Sequence, residues 1–234
     1  MAEKAQLRRL RTNTVINATS KKQEKALTRA MIRVVNAIEA QYPSIELSWS
    51  QRWFLKDIVA ELSSFAPDVE FQCKFNTSYM SPDGGVLSVI DTEKRDHVIL
   101  ISEKKNQGTN NLRALEGKPR QSKGNAIERL GKNVIGFRTA MMQESIFPFV
   151  CFGDGCDFAE DSSILDRVIT IAMFGELNKI YLHDEGTGRK FDRGSFFFKV
   201  EEWLEDEMFD ICMDIASRSI LYYQSKYGAK TITR

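Results

Sequence analysis

A chain of 234 residues, 42% hydrophobic and 28% charged, can bury one sizeable core and shows no compositional shift that demands two, so a single domain over 1–234 is expected, with 1–24 as a basic N-terminal arm. No stretch approaches the ~20 apolar residues that span a bilayer, and Met1–Ser20 lacks an apolar leader core, so a cytoplasmic protein is expected. The net charge of +1 argues against a polyanion partner only until its layout is considered.

Lys4, Arg8, Arg9, Arg11, Lys21, Lys22, Lys25, Arg29 and Arg33 make the N-terminal segment basic, either to wrap nucleic acid or as a flexible tail. Lys25–Glu39 and Trp53–Leu62 read as amphipathic helices. Val86–Ile90 and His97–Ser102 are β-branched, apolar runs separated by the polar turn Asp91–Asp96, which predicts an antiparallel hairpin. A second basic stretch, Lys104–Arg138, carries a predicted helix over Asn125–Met142, where Ala126, Leu130, Val134, Phe137 and Met141 recur at helical spacing. Ile146–Phe152 reads as a central strand and Val168–Phe174 as a strand or a buried helix. Leu177–Leu182 and Ser195–Val200 are further apolar runs, and a helix is expected over Trp203–Tyr223. The acidic run Glu201–Glu207 is expected to solvate the outer face of that last helix. The fold class is α/β: a mixed β-sheet flanked by helices on both faces, with the hairpin at one end.

The hairpin carries the first chemical signal. Asp83 and Glu103 lie symmetrically about Glu93, so antiparallel pairing sets both carboxylates at the same end. Side-chain alternation then puts Lys105 on the face of Glu103 and Lys104 on the other. Two carboxylates and a lysine suit metal-assisted phosphodiester hydrolysis: Asp83, Glu103 and a backbone carbonyl are hard oxygen ligands for Mg²⁺, and Lys105 can stabilise charge on the phosphate. On spacing alone, a strand ending in alternating Glu and Lys is equally an ordinary solvated edge. The second signal is the opening of the helix, where Asn125, Glu128 and Arg129 share the first turns. Asn can read adenine and Arg guanine in the major groove, while Lys118, Arg120 and Lys123 offer phosphate contacts; an internally paired polar helix face is the plain alternative.

Pro82-Asp83-Gly84-Gly85, Ile101-Ser102-Glu103-Lys104-Lys105-Asn106-Gln107-Gly108, Gly124-Asn125-Ala126-Ile127-Glu128-Arg129 and Glu144–Val150 together resemble, in order and spacing, the EcoRI restriction endonuclease family. Weaker similarity runs through Gln41-Tyr42-Pro43, Ser163–Arg167 and Glu207–Ile211, covering most of the chain beyond about residue 30. The resemblance implies a Mg²⁺-dependent homodimer that cuts both strands of a short palindromic duplex site, partnered by a DNA methyltransferase acting on that site. It implies metal-ligand roles for Asp83 and Glu103 and the catalytic-lysine role for Lys105. Asn125, Glu128 and Arg129 match residues that read an inner AATT, with Gly124 and Ala126 in the same segment and Arg167 matching a recognition-region arginine. Gln121-Ser122-Lys123 departs from the family's small and apolar residues there, so the inner AATT transfers more safely than the outer pair, and GAATTC, CAATTG or a relaxed version all stay open. Lys123 could instead read guanine on the other strand, as in CAATTG, or contact phosphate. The stretch between Asp157 and Ile164 is shorter than in the family, which implies a reduced DNA-embracing arm.

Cys73, Cys151, Cys156 and Cys212, with His97 and His183, show no zinc-ligand spacing and are expected as reduced structural thiols, and no nucleotide-triphosphate loop is present. Phe196-Phe197-Phe198 reads as core or dimer interface, because duplex DNA offers no unstacked bases. Two other functions remain compatible with parts of the pattern. A repair or junction nuclease of the same fold would keep Asp83, Glu103 and Lys105 but give no reason for Gly124–Arg129. A noncatalytic sequence-specific DNA-binding protein would have no use for clustered acids facing phosphate.

Overall fold

A computed structural model describes residues 15–106, 114–115, 117–119, 125–159, 162–172, 177–182 and 194–233. In chain order its elements are α1 (Val15–Gln41), β1 (Glu46–Ser50), β2 (Trp53–Phe54), α2 (Leu55–Phe65), β3 (Tyr79–Met80), β4 (Gly85–Ile90), β5 (Asp96–Asn106), α3 (Asn125–Ala140), β6 (Phe149–Asp154), a 3₁₀ turn (Cys156–Phe158), α4 (Ile164–Ala172), β7 (Ser195–Lys199), α5 (Glu205–Tyr227) and α6 (Ala229–Ile232). β1, β4 and β5 pair antiparallel, then β6 and β7 join parallel, giving the order β1-β4-β5-β6-β7 with β5 at the centre. The hairpin therefore does not lie at one end of the sheet as expected: β1 pairs along its first strand and its second strand is the innermost, because β6 adds in parallel on the far side.

Alternation along the strands makes both faces of the sheet apolar, so both need a helical layer. On one side Leu87, Leu100, Val150, Phe152 and Phe197 pack against Leu27, Met31, Val34 and Ile38 of α1 and Met208, Cys212, Ile215 and Ile220 of α5. On the other, Ile101, Phe149, Cys151, Phe196 and Phe198 meet Ile127, Leu130, Val134 and Phe137 of α3 and Ile164 and Val168 of α4. The three consecutive phenylalanines are thus buried core on alternate faces. None of the helices among the described residues is long and apolar enough to cross a membrane.

Several element boundaries differ from the sequence expectation. The helix expected from Trp53 starts at Leu55, because Trp53 and Phe54 first pair with Met80 and Tyr79. The strand expected from Ile146 starts at Phe149, after Pro148, which has no N–H to give a ladder. Val168–Ala172 is helical, and residues 173–176 lie outside the described residues. Leu177–Leu182 forms no strand, although the Leu182 carbonyl accepts a hydrogen bond from the Phe147 amide at 2.7 Å.

The acidic run does more than solvate a face. Glu205 accepts from Arg29 at 2.6 Å and Asp206 from Arg33 at 2.5 Å, while Glu202 pairs with Lys22 and Glu207 with Lys199. Part of the basic N-terminal segment is therefore neutralised by the start of α5. Being largely in reach of solvent, these pairs add little stability, and their main effect is to lower the positive potential of α1.

The hairpin turn is held by Asp91, whose buried carboxylate accepts from the Glu93 and Arg95 amides, the Arg95 guanidinium at 2.8 Å and His97 Nε2 at 2.9 Å. Those donors outweigh the desolvation that opposes its charge and hold it well below the usual carboxylate range. At the far end Gly85 has φ +85°, and a Cβ there would lie 2.7 Å from Trp49 Nε1 and 2.8 Å from the Ser50 carbonyl. Gly85→Ala combines left-handed backbone strain with a backbone clash, so it should lower stability by about 2–4 kcal/mol in urea unfolding. A loss below about 0.5 kcal/mol would mean that the turn relaxes at no cost.

Candidate active site

Asp83, Glu103 and Lys105 are brought together as the hairpin predicts. β4 begins at Gly85 opposite Ser102, so the Pro82–Gly84 turn runs back over the next residue of β5. The Asp83 amide donates to Glu103 Oε2 at 2.9 Å, and the Lys104 amide donates to Asp83 Oδ2 at 3.0 Å. Each carboxylate is thus held by the backbone of the other's segment. The turn is also tied to β1, since Trp49 Nε1 donates to the Gly84 carbonyl at 3.0 Å.

The Lys105 ammonium lies at the focus of three oxygens: Glu103 Oε1, the Lys104 carbonyl at 3.3 Å and Asp83 Oδ2 at 3.4 Å. Glu103 is buried and Lys105 nearly so, whereas the Asp83 side chain keeps about a third of its surface (32%) in solvent, which makes it the open side of the cluster. Desolvation raises Glu103 above the ordinary carboxylate value, and the Asp83 charge adds to this, although Lys105 opposes both. For Lys105, burial works against the charge, but Glu103 and Asp83 more than offset it and push the ammonium well above its ordinary value. Lys105 is therefore a fixed cation over the working pH range. Cys151, opposite Glu103 on β6, is raised well above its ordinary value by burial and stays a neutral thiol.

Lys104 points to the other face, as strand alternation requires. Its ammonium lies 2.8 Å from Asp154 Oδ2, and both side chains are buried. Asp154 also accepts from Gln23 Nε2 of α1 at 3.0 Å and from the Trp203 amide at 3.2 Å. The same strand thus presents Lys105 to Asp83 and Glu103 and locks Lys104 into a buried ion pair on the opposite face.

Of the residues nominated for recognition, Glu128 and Arg129 are exposed near the start of α3, and Arg167 is exposed on α4, which packs beside α3. The backbone of Asn125 and Ala126 opens α3, but their side chains, together with Lys123 and Gly124, lie outside the described residues, as does the N-terminal arm up to residue 14. Two functional contacts were missed in the sequence: Asp154 as the partner of Lys104, and Asn133, whose Nδ2 donates to Glu103 Oε1 at 3.2 Å. Asn133 had a signal, its place one helical turn after Arg129, whereas Asp154 had none, because it is some fifty residues from Lys104.

A cavity of about 960 Å³ lies elsewhere, between α2, the hairpin and α5, with Trp53, Glu61, His97, Glu144 and Tyr227 in its wall. Its lining does not include Asp83, Glu103 or Lys105.

Two carboxylates and a lysine thus gather at one end of the central hairpin of a mixed sheet, beside a helix that presents an arginine and a glutamate. The family model for restriction endonuclease EcoRI matches residues 11–230, nearly the whole chain. The chain belongs to the EcoRI restriction endonuclease family and is thus a type II restriction endonuclease. It is 25% identical to the type II restriction enzyme RsrI of Cereibacter sphaeroides over 240 aligned residues, covering 88% of this chain and 87% of that protein. It is 28% identical to the type II restriction enzyme EcoRI of Escherichia coli over 223 residues, covering 80% of each chain.

Proposed function

We propose that the chain acts as a homodimer that hydrolyses both strands of a short palindromic duplex site containing AATT, using Mg²⁺, and that a DNA methyltransferase protects the same site. The observation that carries the chemistry is the convergence of Asp83 Oδ2, Glu103 Oε1 and the Lys104 carbonyl on one cation, the Lys105 ammonium. Three hard oxygens from two acids and a backbone carbonyl are a donor set suited to a small divalent ion that keeps the rest of its shell as water and phosphate.

When bound there, Mg²⁺ supplies Lewis acidity toward the phosphate and a more acidic water. The protein's own residues do the rest. Asp83, about a third open to solvent, faces the incoming backbone, while buried Glu103 is held by the Asp83 amide and Asn133. Lys105, kept charged by both acids, donates to the phosphoryl oxygens as negative charge builds on them. Its ammonium must turn from the acids toward the phosphate for this, a short motion for a flexible four-carbon stem.

Site choice rests on α3. Asn125, Glu128 and Arg129 are the reading residues, with Gly124 and Ala126 shaping the segment, Arg167 adding a contact from α4, and Lys123 reading the outer pair or a phosphate. Two-fold symmetry of the dimer supplies a second copy of each, which makes the site a palindrome. Digestion of a randomised-site duplex library in Mg²⁺, with fragment ends sequenced and Glu103→Ala alongside, tests this. Discrete ends at an AATT-containing palindrome are expected; scattered or junction-dependent ends, or specific binding without cleavage, would sink the reading. Arg129→Ala should cost discrimination at its base pair by about 1–3 kcal/mol in competition cleavage, and unchanged site preference would exclude direct readout by it.

A further inference from the structure

We infer that Asn133 is a positioning residue through which α3 reports the occupancy of its reading end to the catalytic carboxylate Glu103. The inference rests on the proposed roles of Glu103 and of the start of α3. Asn133 Nδ2 reaches from α3 to Glu103 Oε1 at 3.2 Å, the same oxygen that accepts the Lys105 ammonium. The other oxygen, Oε2, is occupied by the Asp83 amide at 2.9 Å. Of the three groups that orient Glu103, two belong to the hairpin and one belongs to the helix that opens with Asn125, Glu128 and Arg129.

Helical geometry makes this contact an end-to-end link. Arg129 and Asn133 are four residues apart and lie on one stripe, and Asn125 is about 12 Å up the axis from Asn133 at 1.5 Å per residue. Along the same helix Ile127, Leu130 and Val134 are fully buried against the sheet, in the same apolar cluster as Ile101 of β5. A helix clamped by such a stripe moves as a body, because close-packed side chains do not deform locally. A tilt or rotation that seats the reading residues on their bases therefore moves the Asn133 amide relative to Glu103.

The chemistry makes Glu103 responsive to that motion. It is buried, and its carboxylate accepts from the Asp83 amide, the Lys105 ammonium and Asn133, so moving one of these donors changes how the side chain is held. An N–H placed on Oε1 sets the plane of the carboxylate and selects which lone pairs remain for a cation. An Asp or Glu in place of Asn133 would repel Glu103, and a Leu would fill the space while donating nothing. Asparagine supplies a donor without adding a charge that would compete with Lys105 or repel a metal.

The test is a coupling measurement in the full chain. Ca²⁺, as the probe ion, is titrated calorimetrically into complexes with the duplex identified by library digestion and with a duplex carrying one altered base pair. Wild type, Asn133→Leu and Asn133→Gln are compared, with thermal melting to confirm folding. The wild type should bind Ca²⁺ more tightly in the cognate complex than in the altered one. Asn133→Leu should reduce that ratio by roughly tenfold, the scale of one hydrogen bond to a charged group, by weakening the cognate complex alone. Asn133→Gln, which keeps the donor, should recover part of it. Equal weakening in both complexes would make Asn133 a static prop for Glu103 and overturn the inference, as would an unchanged ratio. Failure of the proposed function shows separately, as a wild-type enzyme that yields no discrete ends from the library.

Discussion

Glu103→Gln is expected to remove Mg²⁺-dependent cleavage to below detection while leaving the protein at least as stable as the wild type at pH 8. The substitution keeps the shape and one acceptor of the side chain, so the Asp83 amide retains a partner, but it removes the charge that a divalent ion needs. The stability half follows from the sign of the pKa shift. Burial raises Glu103 above the value it has when unfolded, so its contribution to stability is complete below the unfolded value and is lost as pH rises through the raised folded value. At pH 8 the wild type bears that loss and the glutamine does not. Thermal melts of the two proteins should therefore differ least in acid and diverge in favour of Glu103→Gln on the alkaline side. A glutamine variant that melts several degrees lower at pH 8 would mean that the charge of Glu103 holds the fold together, and its assignment to chemistry would fail. Lys105→Ala should lower single-turnover cleavage by roughly 10²–10³-fold or more, the scale of losing one charge-stabilising donor, with site-specific binding in Ca²⁺ retained.

Asp154→Ala carries the largest expected cost in stability. It leaves the Lys104 ammonium buried with its counter-charge removed and deprives Gln23 and the Trp203 amide of their acceptor. Breaking one side of such a pair costs about 3–5 kcal/mol, which for a chain of this size is about 6–20 °C in melting temperature at ~2–4 °C per kcal/mol. The double variant Asp154→Leu with Lys104→Met removes both charges and should recover most of the loss, since paired burial of two ions is close to break-even against apolar packing. If the double variant melts as low as Asp154→Ala, the network contributes through Gln23 and Trp203 rather than through the ion pair. The effect on cleavage should exceed the effect on binding, because the amide of Lys104 is the donor that holds Asp83 Oδ2.

Both expectations trace to neighbouring residues on one strand, Glu103, Lys104 and Lys105, which the period-two alternation of β structure sends to opposite faces. That alternation was legible in the order of residues, as was the hairpin, because β-branched runs flanking a polar turn encode a local pairing. The helix over Asn125–Ala140 was legible for a similar reason: its apolar stripe repeats within a few turns. Boundaries shifted where the deciding partner was distant, as when Met80 and Tyr79 drew Trp53 and Phe54 into a ladder ahead of α2. The ion pairs of the acidic run were not legible for the same cause. Its charge pattern resembles a solvated face, and only the packing of α1 against α5 brings Arg29 and Arg33 to Glu205 and Asp206.

By itself the sequence determined the α/β class, the hairpin, the cluster of Asp83, Glu103 and Lys105, and the choice of Lys105 over Lys104, since each follows from periodicities that act over a few residues. The tertiary structure alone decided that Lys104 meets Asp154, that Asn133 touches Glu103, that the acidic run pairs with Lys22, Arg29 and Arg33 of α1, and that β5 is the centre of the sheet. Those contacts join segments far apart in the chain, and no local pattern specifies which distant side chain will arrive to satisfy a buried charge.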